Sequence, residues 1–270
     1  MEVHFMPSNY AHYRFGVQAL ASLPADVRRP IQRFRRLYDV GVHGPDLFLY
    51  HNLMSRTIPG VLDGKFHRQT GRDYFTRACK KLKQEPTEAG LAYLYGVLAH
   101  YCLDSVCCPF VHEKSGERQI SPRELETEFD RYLLLLDGID PPHTYDGSRH
   151  MRLTRGECVT VSEFYPPATP DIVQQSVRNM ARLTRTLTAP EGAKRSAVKK
   201  LLTLTAPAIK GLIMPTHPNH RCTDLDGELL ALYDRAMELY PTLVEQLIAH
   251  MTYNGILGDD FAATFHGKRE

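Results

Sequence analysis

Hydrophobic residues recur along this chain with the three-to-four-residue spacing of amphipathic helices. In the segment 123–136, Leu125, Phe129 and Leu133 fall on one face and the charged side chains on the other. Ser121 precedes this segment as a candidate N-cap, with Pro122 at the first helical position and Glu124 three residues after the cap. The same period predicts helices over 89–107, 171–187 and 228–251, and strand patterns are scarce.

Proline- and glycine-rich breaks separate these helices, and none of the breaks is long or low in complexity. The segment 89–107 is hydrophobic nearly all round, which is typical of the centre of a bundle. Pro109 is predicted to stop that helix, because a proline ring removes a backbone donor and restricts the residue before it. These patterns predict an all-α, multi-helix bundle forming a single domain over residues 1–270.

Composition narrows the function classes. The 270 residues include 33 Lys and Arg against 31 Asp and Glu, so the net charge of +2 gives no electrostatic argument for nucleic acid as the main partner. The first residues lack the pattern of a signal peptide, and no segment approaches eighteen uninterrupted apolar residues. We therefore expect a soluble, cytoplasmic protein whose six cysteines are free thiols, metal ligands or core residues.

The most unusual stretch is LAHYCLDSVCCPFVHE, residues 98–113. His100 and Asp104 are four residues apart, so a helix places the imidazole and the carboxylate on the same face, and Cys108 continues that row. One interpretation is a metal site. The other is a buried histidine paired with a carboxylate, with small cysteines filling core space.

Other segments supply further candidate ligands. GVHGPDLFLYHN, residues 41–52, contains Asp46 beside a Gly-Pro break, which also allows the simpler interpretation of a carboxylate capping a short helix. His67 lies in GKFHRQTGRDYF, and His12 lies in NYAHYRFG. Together Asp46, His67, His100 and Asp104 would form a set of nitrogen and oxygen donors that suits Zn²⁺ or a similar divalent ion.

Six stretches resemble the zinc-dependent phospholipase C family, in particular its cytoplasmic bacterial branch. They are MPSNYAHYRFG, GVHGPDLFLYHN, FHRQTGRDYF, GVLAHYCLDSVCCPFV, ISPRELETEFDRYLLLLDG and FAATFHGK, and they follow the family's order over nearly the whole chain. The resemblance implies a bundle of the phospholipase C and P1 nuclease type. It also implies a cluster of up to three zinc ions that binds a phosphate and activates water for phosphodiester cleavage.

Carried over from the family, Asp46, His67, His100 and Asp104 match one complete zinc site. His12 matches the histidine of a second site that shares the carboxylate of Asp104. In secreted members the mature N-terminal residue completes that second site, and no such terminus is expected here.

The third family site departs most from the pattern. Cys108 stands where the family has a histidine, and Pro122 stands where it has another; Glu126 is unchanged. Cys108 remains able to bind zinc as a thiolate, whereas the side chain of Pro122 cannot bind metal. His112 and Glu113, just beyond the predicted end of the helix, are possible substitutes.

Three functions follow as hypotheses. The first is a metal-dependent phosphodiester hydrolase acting on a phospholipid headgroup or a similar diester, with Asp46 as the general base by resemblance and transient contact with a membrane surface. The second is a degenerate member with one zinc site, either a slow hydrolase or a phosphate-ligand binder. The third is a thiol-based redox protein using Cys102, Cys107 and Cys108. It is disfavoured because the sequence has no C-x-x-C motif and the adjacent Cys107 and Cys108 point along different helix faces.

Overall fold

The computed structural model describes residues 9–51, 65–188, 192, 196–197 and 211–269. Within these ranges the regular secondary structure is helical and no β-strand is present, which confirms the predicted all-α class. The α-helices are α1 (Asn9–Ala19), α2 (Ala25–Arg33), α3 (Arg35–Gly41), α4 (Gly71–Gln84), α5 (Glu88–Arg118), α6 (Pro122–Leu136), α7 (Arg155–Ser162), α8 (Pro170–Leu187) and α9 (Asp226–Tyr253). Short 3-10 helices that matter for the site cover Gly44–Tyr50 and Asp259–Phe261.

Helix α6 begins as the sequence predicts. The Ser121 hydroxyl accepts a hydrogen bond from the Glu124 amide at 3.3 Å, and the Glu124 carboxylate accepts one from the Ser121 amide at 3.0 Å. Pro122 occupies the first helical position, where its missing N–H costs nothing. This capping box is confirmed, and α8 and α9 lie within two residues of their predicted bounds at each end.

The predicted stop at Pro109 is wrong. Helix α5 continues through Pro109 to Arg118 and ends at Gln119, which adopts the left-handed conformation with φ of 54°. A proline removes only one backbone bond, here the bond to the carbonyl of Ser105, and packing on both sides can offset a cost of about 3 kcal/mol. Cys107, Cys108 and Val111 are all buried around the proline, so the helix is held in place on either side of it.

Helix α5 forms the centre of the bundle, as its hydrophobic pattern predicts. It packs against α3, α9, α2 and α1, and most of its residues from Gly90 to Cys108 are buried. By length and composition it is the one helix in the described residues that could cross a membrane. However, 78% of its apolar window is buried inside the protein, which is the pattern of a core helix.

Two glycines set the crossing of α3 and α5. A Cβ added to Gly96 would lie 2.5 Å from the Tyr38 carbonyl oxygen and 2.9 Å from the Gly41 Cα, so the two backbones are in direct contact. His100 lies one turn after Gly96 on the same face of α5, and Gly41 is followed by the 3-10 helix Gly44–Tyr50. The close crossing therefore places Asp46 beside His100.

The start of α1 is anchored to α6. The Asp130 carboxylate accepts hydrogen bonds from the backbone amides of Tyr10 at 3.0 Å and Ala11 at 2.8 Å. These amides lack partners within the helix, and a carboxylate at a helix N-terminus is also favoured by the helix dipole. The anchor points the buried face of α1, which contains His12, towards α5.

The C-terminal segment closes over the same region. Thr264 forms an isolated antiparallel bridge with Thr70, and the Gly71 amide donates to the Ala263 carbonyl at 2.8 Å. Gly267 has φ of 71°, and a Cβ there would lie 2.6 Å from the Pro109 ring. The segment thus packs on the proline of α5 and brings Phe265 and His266 over His100 and His67.

Candidate metal centre

Five of the residues predicted from the sequence converge at one point in the structure. They are His12, Asp46, His67, His100 and Asp104, all of which are buried. Donor atoms of His12, Asp46 and His100 lie within 4.8 Å of one another, and so do those of His67, His100 and Asp104. His100 belongs to both groups, so the five side chains form one continuous cluster, which we call the His/Asp centre.

Direct contacts tie the two carboxylates to the imidazoles. His12 Nε2 lies 3.2 Å from Asp104 Oδ1, and His100 Nε2 lies 3.3 Å from Asp104 Oδ2. On the other side, His67 Nε2 lies 3.0 Å from Asp46 Oδ1. Both carboxylates therefore face ring nitrogens across the centre.

Local backbone geometry explains why these side chains meet. His100 and Asp104 share one face of α5 through their four-residue spacing. Gly44 has φ of 50°, and a Cβ there would lie 2.3 Å from Cδ2 of His100. A side chain at position 44 would thus occupy the space of the His100 ring, and glycine also tolerates the left-handed conformation that the turn before Asp46 requires.

The imidazoles form a row of neighbouring rings. The ring centroids of His12 and His100 are 4.6 Å apart, and those of His100 and His67 are 6.1 Å apart. His67 is stacked on His266 with centroids 4.6 Å apart and an interplanar angle of 14°, and His266 meets His112 edge-on at 5.9 Å. The centre is therefore lined with nitrogen donors from α1, the helical turn at 65–68, α5 and the C-terminal segment.

The charges of the centre are strongly coupled. Burial alone would raise the pKa of Asp104, but His100 and His12 outweigh it, and the pKa of this carboxyl lies below its usual value. Burial would lower the pKa of His12, yet Asp104 outweighs it and the pKa is raised. His100 remains neutral because burial, together with His12 and His67, holds its pKa well below the usual value despite Asp104. Neutral imidazole is the form that binds metal ions.

These residues fit a zinc ion. Among the described residues, neither ring nitrogen of His100 makes a hydrogen bond, nor does Nδ1 of His12, although all three atoms are buried. Buried polar atoms are nearly always satisfied, and metal binding is one way to satisfy them. Imidazole nitrogens with carboxylate oxygens are a donor set that zinc accepts.

Cys108 and Glu126, the ligands predicted for the third site, lie close enough to Asp104 for its charge to act on them. Cys108 lies one turn after Asp104 and is buried, and Glu126 is buried on α6. Neither belongs to a metal-capable group among the described residues. Burial together with Asp104 raises the pKa of both groups, so each favours its neutral form. Glu126 also has no hydrogen-bond partner on either oxygen among the described residues.

The two possible substitutes occupy different environments. Because α5 does not stop at Pro109, His112 lies one turn after Cys108 in the same row and faces His266. Glu113 is exposed and pairs with Lys114 at 3.4 Å. The continuous helix therefore points His112 towards the centre and Glu113 away from it.

Sequence reasoning missed His266, which lies in the terminal stretch FAATFHGK. The clue in the sequence was that this histidine lies in a stretch that resembles the family. No spacing rule connects it with His67. The pairing of His43 and His150 was also missed. Their Nε2 atoms are 2.7 Å apart although the residues are 107 positions apart in the chain. Both contacts depend on tertiary packing.

The structure also places the cysteines, the apolar residues after Asp46 and the basic stretch near residue 195. All six cysteines are buried and none forms a disulfide bond, and burial raises the pKa of Cys107 and Cys108, so neither is a reactive thiolate. The apolar triplet Phe48, Leu49 and Tyr50, which follows Asp46, is 0%, 6% and 1% exposed and lies in the protein core. The basic stretch 193–200 lies largely outside the described residues.

The fold and the site define an all-α protein with a buried centre of histidines and aspartates able to hold a metal ion. The family model for zinc dependent phospholipase C matches residues 11–162, more than half of the chain. The chain belongs to this family. The matched region includes every predicted site residue from His12 to Glu126 but not His266. The comparisons with curated proteins and with solved structures gave no match.

Proposed function

We propose that this protein is a metal-dependent phosphodiester hydrolase whose His/Asp centre holds zinc. The observation that carries the proposal is the convergence of His12, Asp46, His67, His100 and Asp104 at one buried point in a chain of the zinc dependent phospholipase C family. Membership of the family indicates a phospholipase-type hydrolase. The number of ions, the reaction and the substrate are the parts we propose here.

Each residue has a role that its environment supports. His67, His100 and Asp104 would hold one ion, and His12 would contribute to a second through the shared Asp104 carboxylate. Zinc, when bound, supplies Lewis acidity and an activated water. Asp46 stands at the edge of the centre beside His67 and is the candidate general base, because a carboxylate in this position can accept the proton of an attacking water.

The substrate we propose is a phospholipid headgroup or another phosphate diester. The near-neutral net charge gives no support for nucleic acid as the partner. Contact with a membrane would be transient, because the apolar triplet at 48–50 is buried and not available to acyl chains.

A second candidate is a degenerate family member with one occupied site, acting as a slow hydrolase or a phosphate binder. One observation favours it: Cys108 and Glu126 join no metal-capable group in the described residues, and Pro122 has no ligand atom. A site without these ligands would hold fewer ions and provide less charge stabilisation for a phosphoryl group.

Zinc content and turnover together separate the candidates. We expect the purified protein to bind two or more zinc ions and to hydrolyse bis(p-nitrophenyl) phosphate. We also expect Asp46→Asn to lower kcat by roughly a hundredfold or more, while Asp171→Asn on the exposed surface of α8 leaves it unchanged. One zinc ion with phosphate binding but no hydrolysis would favour the second candidate, and a protein that binds neither zinc nor phosphate would contradict both.

A further inference from the structure

A cleft lies beside the His/Asp centre and is lined mainly by aromatic and apolar side chains. Leucines of α6 and α8 and Met214 form part of its wall. The remaining wall carries six rings, which belong to Tyr10, Tyr13, Tyr50, His143, Tyr145 and His150. A cleft with this lining is suited to an apolar ligand group of about the size of one ring.

The same elements that build the centre also build the cleft. Tyr13 follows His12 on α1, and Tyr50 ends the 3-10 helix that carries Asp46. On the cleft wall the His150 ring stacks on Tyr13 with centroids 3.9 Å apart and an interplanar angle of 11°. Its Nε2 is 2.7 Å from Nε2 of His43, a buried residue that immediately precedes Gly44. None of the five residues of the centre lines the cleft, but His43 and Gly44 connect the His150 ring of the cleft wall to the His100 ring, so the cleft neighbours the centre.

The charged side chains that line the cleft determine which ligand charge it can accept. Among the described residues that line the cleft there is no lysine or arginine, and Asp130 is its one carboxylate. Asp130 accepts hydrogen bonds from two backbone amides of α1, which hold its carboxylate in place. An anionic group in the cleft would meet the Asp130 carboxylate and would contact no lysine or arginine among the described lining residues, whereas an uncharged ring would bury apolar surface.

We propose that this cleft is the subsite for the alcohol portion of the substrate, and that it selects an uncharged, ring-sized apolar group over an anionic one. The inference rests on the proposed function, because it assigns the phosphate to the His/Asp centre. The cleft then determines which esters are bound, through the rings of Tyr13 and His150 and a described lining that contains no lysine or arginine.

The binding test uses the zinc-loaded protein and three phosphonates, measured by calorimetry without turnover. We expect phenylphosphonate to bind about tenfold to a hundredfold more tightly than methylphosphonate, as burial of one ring predicts. We also expect 4-carboxyphenylphosphonate to lose most of that gain. Equal affinity for the methyl and phenyl compounds, or tighter binding of the carboxylate, would overturn the subsite. If no phosphonate binds, the proposed function fails first and the subsite with it.

A glycine pair provides matched variants. A Cβ on Gly147 would lie 3.4 Å from the Tyr145 ring and 3.7 Å from Thr184, both part of the cleft wall, whereas Gly156 has nothing within 4 Å. We expect Gly147→Phe to abolish the preference for phenylphosphonate while zinc content and methylphosphonate affinity stay the same, and Gly156→Phe to retain it. An unchanged preference in a folded Gly147→Phe protein would contradict the proposal. Should that variant fail to fold, the comparison of the three phosphonates still decides the question.

Discussion

Gly44 shows how one residue without a side chain can define a centre made of side chains. Its left-handed backbone turns the chain from α3 into the 3-10 helix of Asp46, and its missing Cβ leaves room for the ring of His100. A ligand is held in position by its surroundings as much as by its own bonds. The metal affinity of the centre should therefore depend on a residue that can never bind metal.

We predict that Gly44→Ala lowers zinc affinity without removing a ligand. The new Cβ would lie 2.3 Å from the His100 ring, which must then move. Gly138→Ala is the matched control, because Gly138 also has positive φ but nothing within 4 Å. Both variants should lose roughly 1 kcal/mol of unfolding free energy through backbone strain. Only Gly44→Ala should weaken zinc binding in a competition titration; equal affinities in the two variants would contradict this explanation.

Residue-level reasoning from the sequence found most of the candidate centre but not its surroundings. The pair His100 and Asp104 follows from helical spacing alone, whereas His12, Asp46 and His67 were candidates by residue type that the resemblance assigned to zinc sites. His266 and the contact between His43 and His150 join distant parts of the chain, and no local pattern encodes them. Whether each residue binds metal stays a prediction.

At the scale of elements, the crossing of α3 and α5 controls the distance between Asp46 and His100. The sequence predicts α5 as the centre of the bundle but places its end at Pro109, because the rule for proline treats the helix as isolated. In the folded protein, buried neighbours keep the helix continuous to Arg118. This continuity brings His112 into the row that starts at His100.

We predict that Gly96→Ala destabilises the protein by more than about 2 kcal/mol, a typical cost of overpacking between backbones. Its Cβ would meet the Tyr38 carbonyl at 2.5 Å, and neither backbone can move without shifting a whole helix. On the same helix, Gly116 has nothing within 4 Å, so Gly116→Ala should instead stabilise the protein by about 0.5 to 1 kcal/mol. Denaturant unfolding measures both, and equal effects would refute the close crossing.

A buried carboxyl at the start of α9 makes the stability of the protein depend on pH. Burial, aided by Glu128, raises the pKa of Asp226 to about 7, against a usual value of 3.8. The folded state therefore holds an extra proton between these values, and stability falls as the pH rises through that window. We predict that Asp226→Asn is more stable than the parent at pH 8 and that the difference narrows towards pH 5, as measured by Tm.

Asp224→Asn is the control for this pH dependence. Asp224 is exposed, and its ion pair with Arg118 lowers the pKa of its carboxyl. The ion pair therefore contributes to stability at every pH above the usual pKa of an aspartate. The variant should be slightly less stable than the parent, to the same extent at pH 5 and pH 8. A gain for Asp226→Asn that does not change with pH would show that the buried carboxyl is not the cause.

At the scale of the whole molecule, the centre joins parts of the chain that are far apart. Residues from α1, the 3-10 helix at 44–50, the helical turn at 65–68 and α5 meet there, so an ion would bind the folded chain and not the unfolded one. Such binding stabilises the fold by mass action, about 2.7 kcal/mol when the free ion is at a hundred times its dissociation constant. Stability and metal content should therefore change together.

The central claim is that the His/Asp centre holds a metal ion, and metal analysis of purified protein tests it most directly. We predict at least one zinc ion per chain in the parent protein and in a control with His217→Ala and His220→Ala, which changes two exposed histidines. The double variant His100→Ala with Asp104→Ala should contain almost none and should lose the rise in Tm that zinc gives the parent. Full zinc content in that double variant would contradict the site and the function proposed from it.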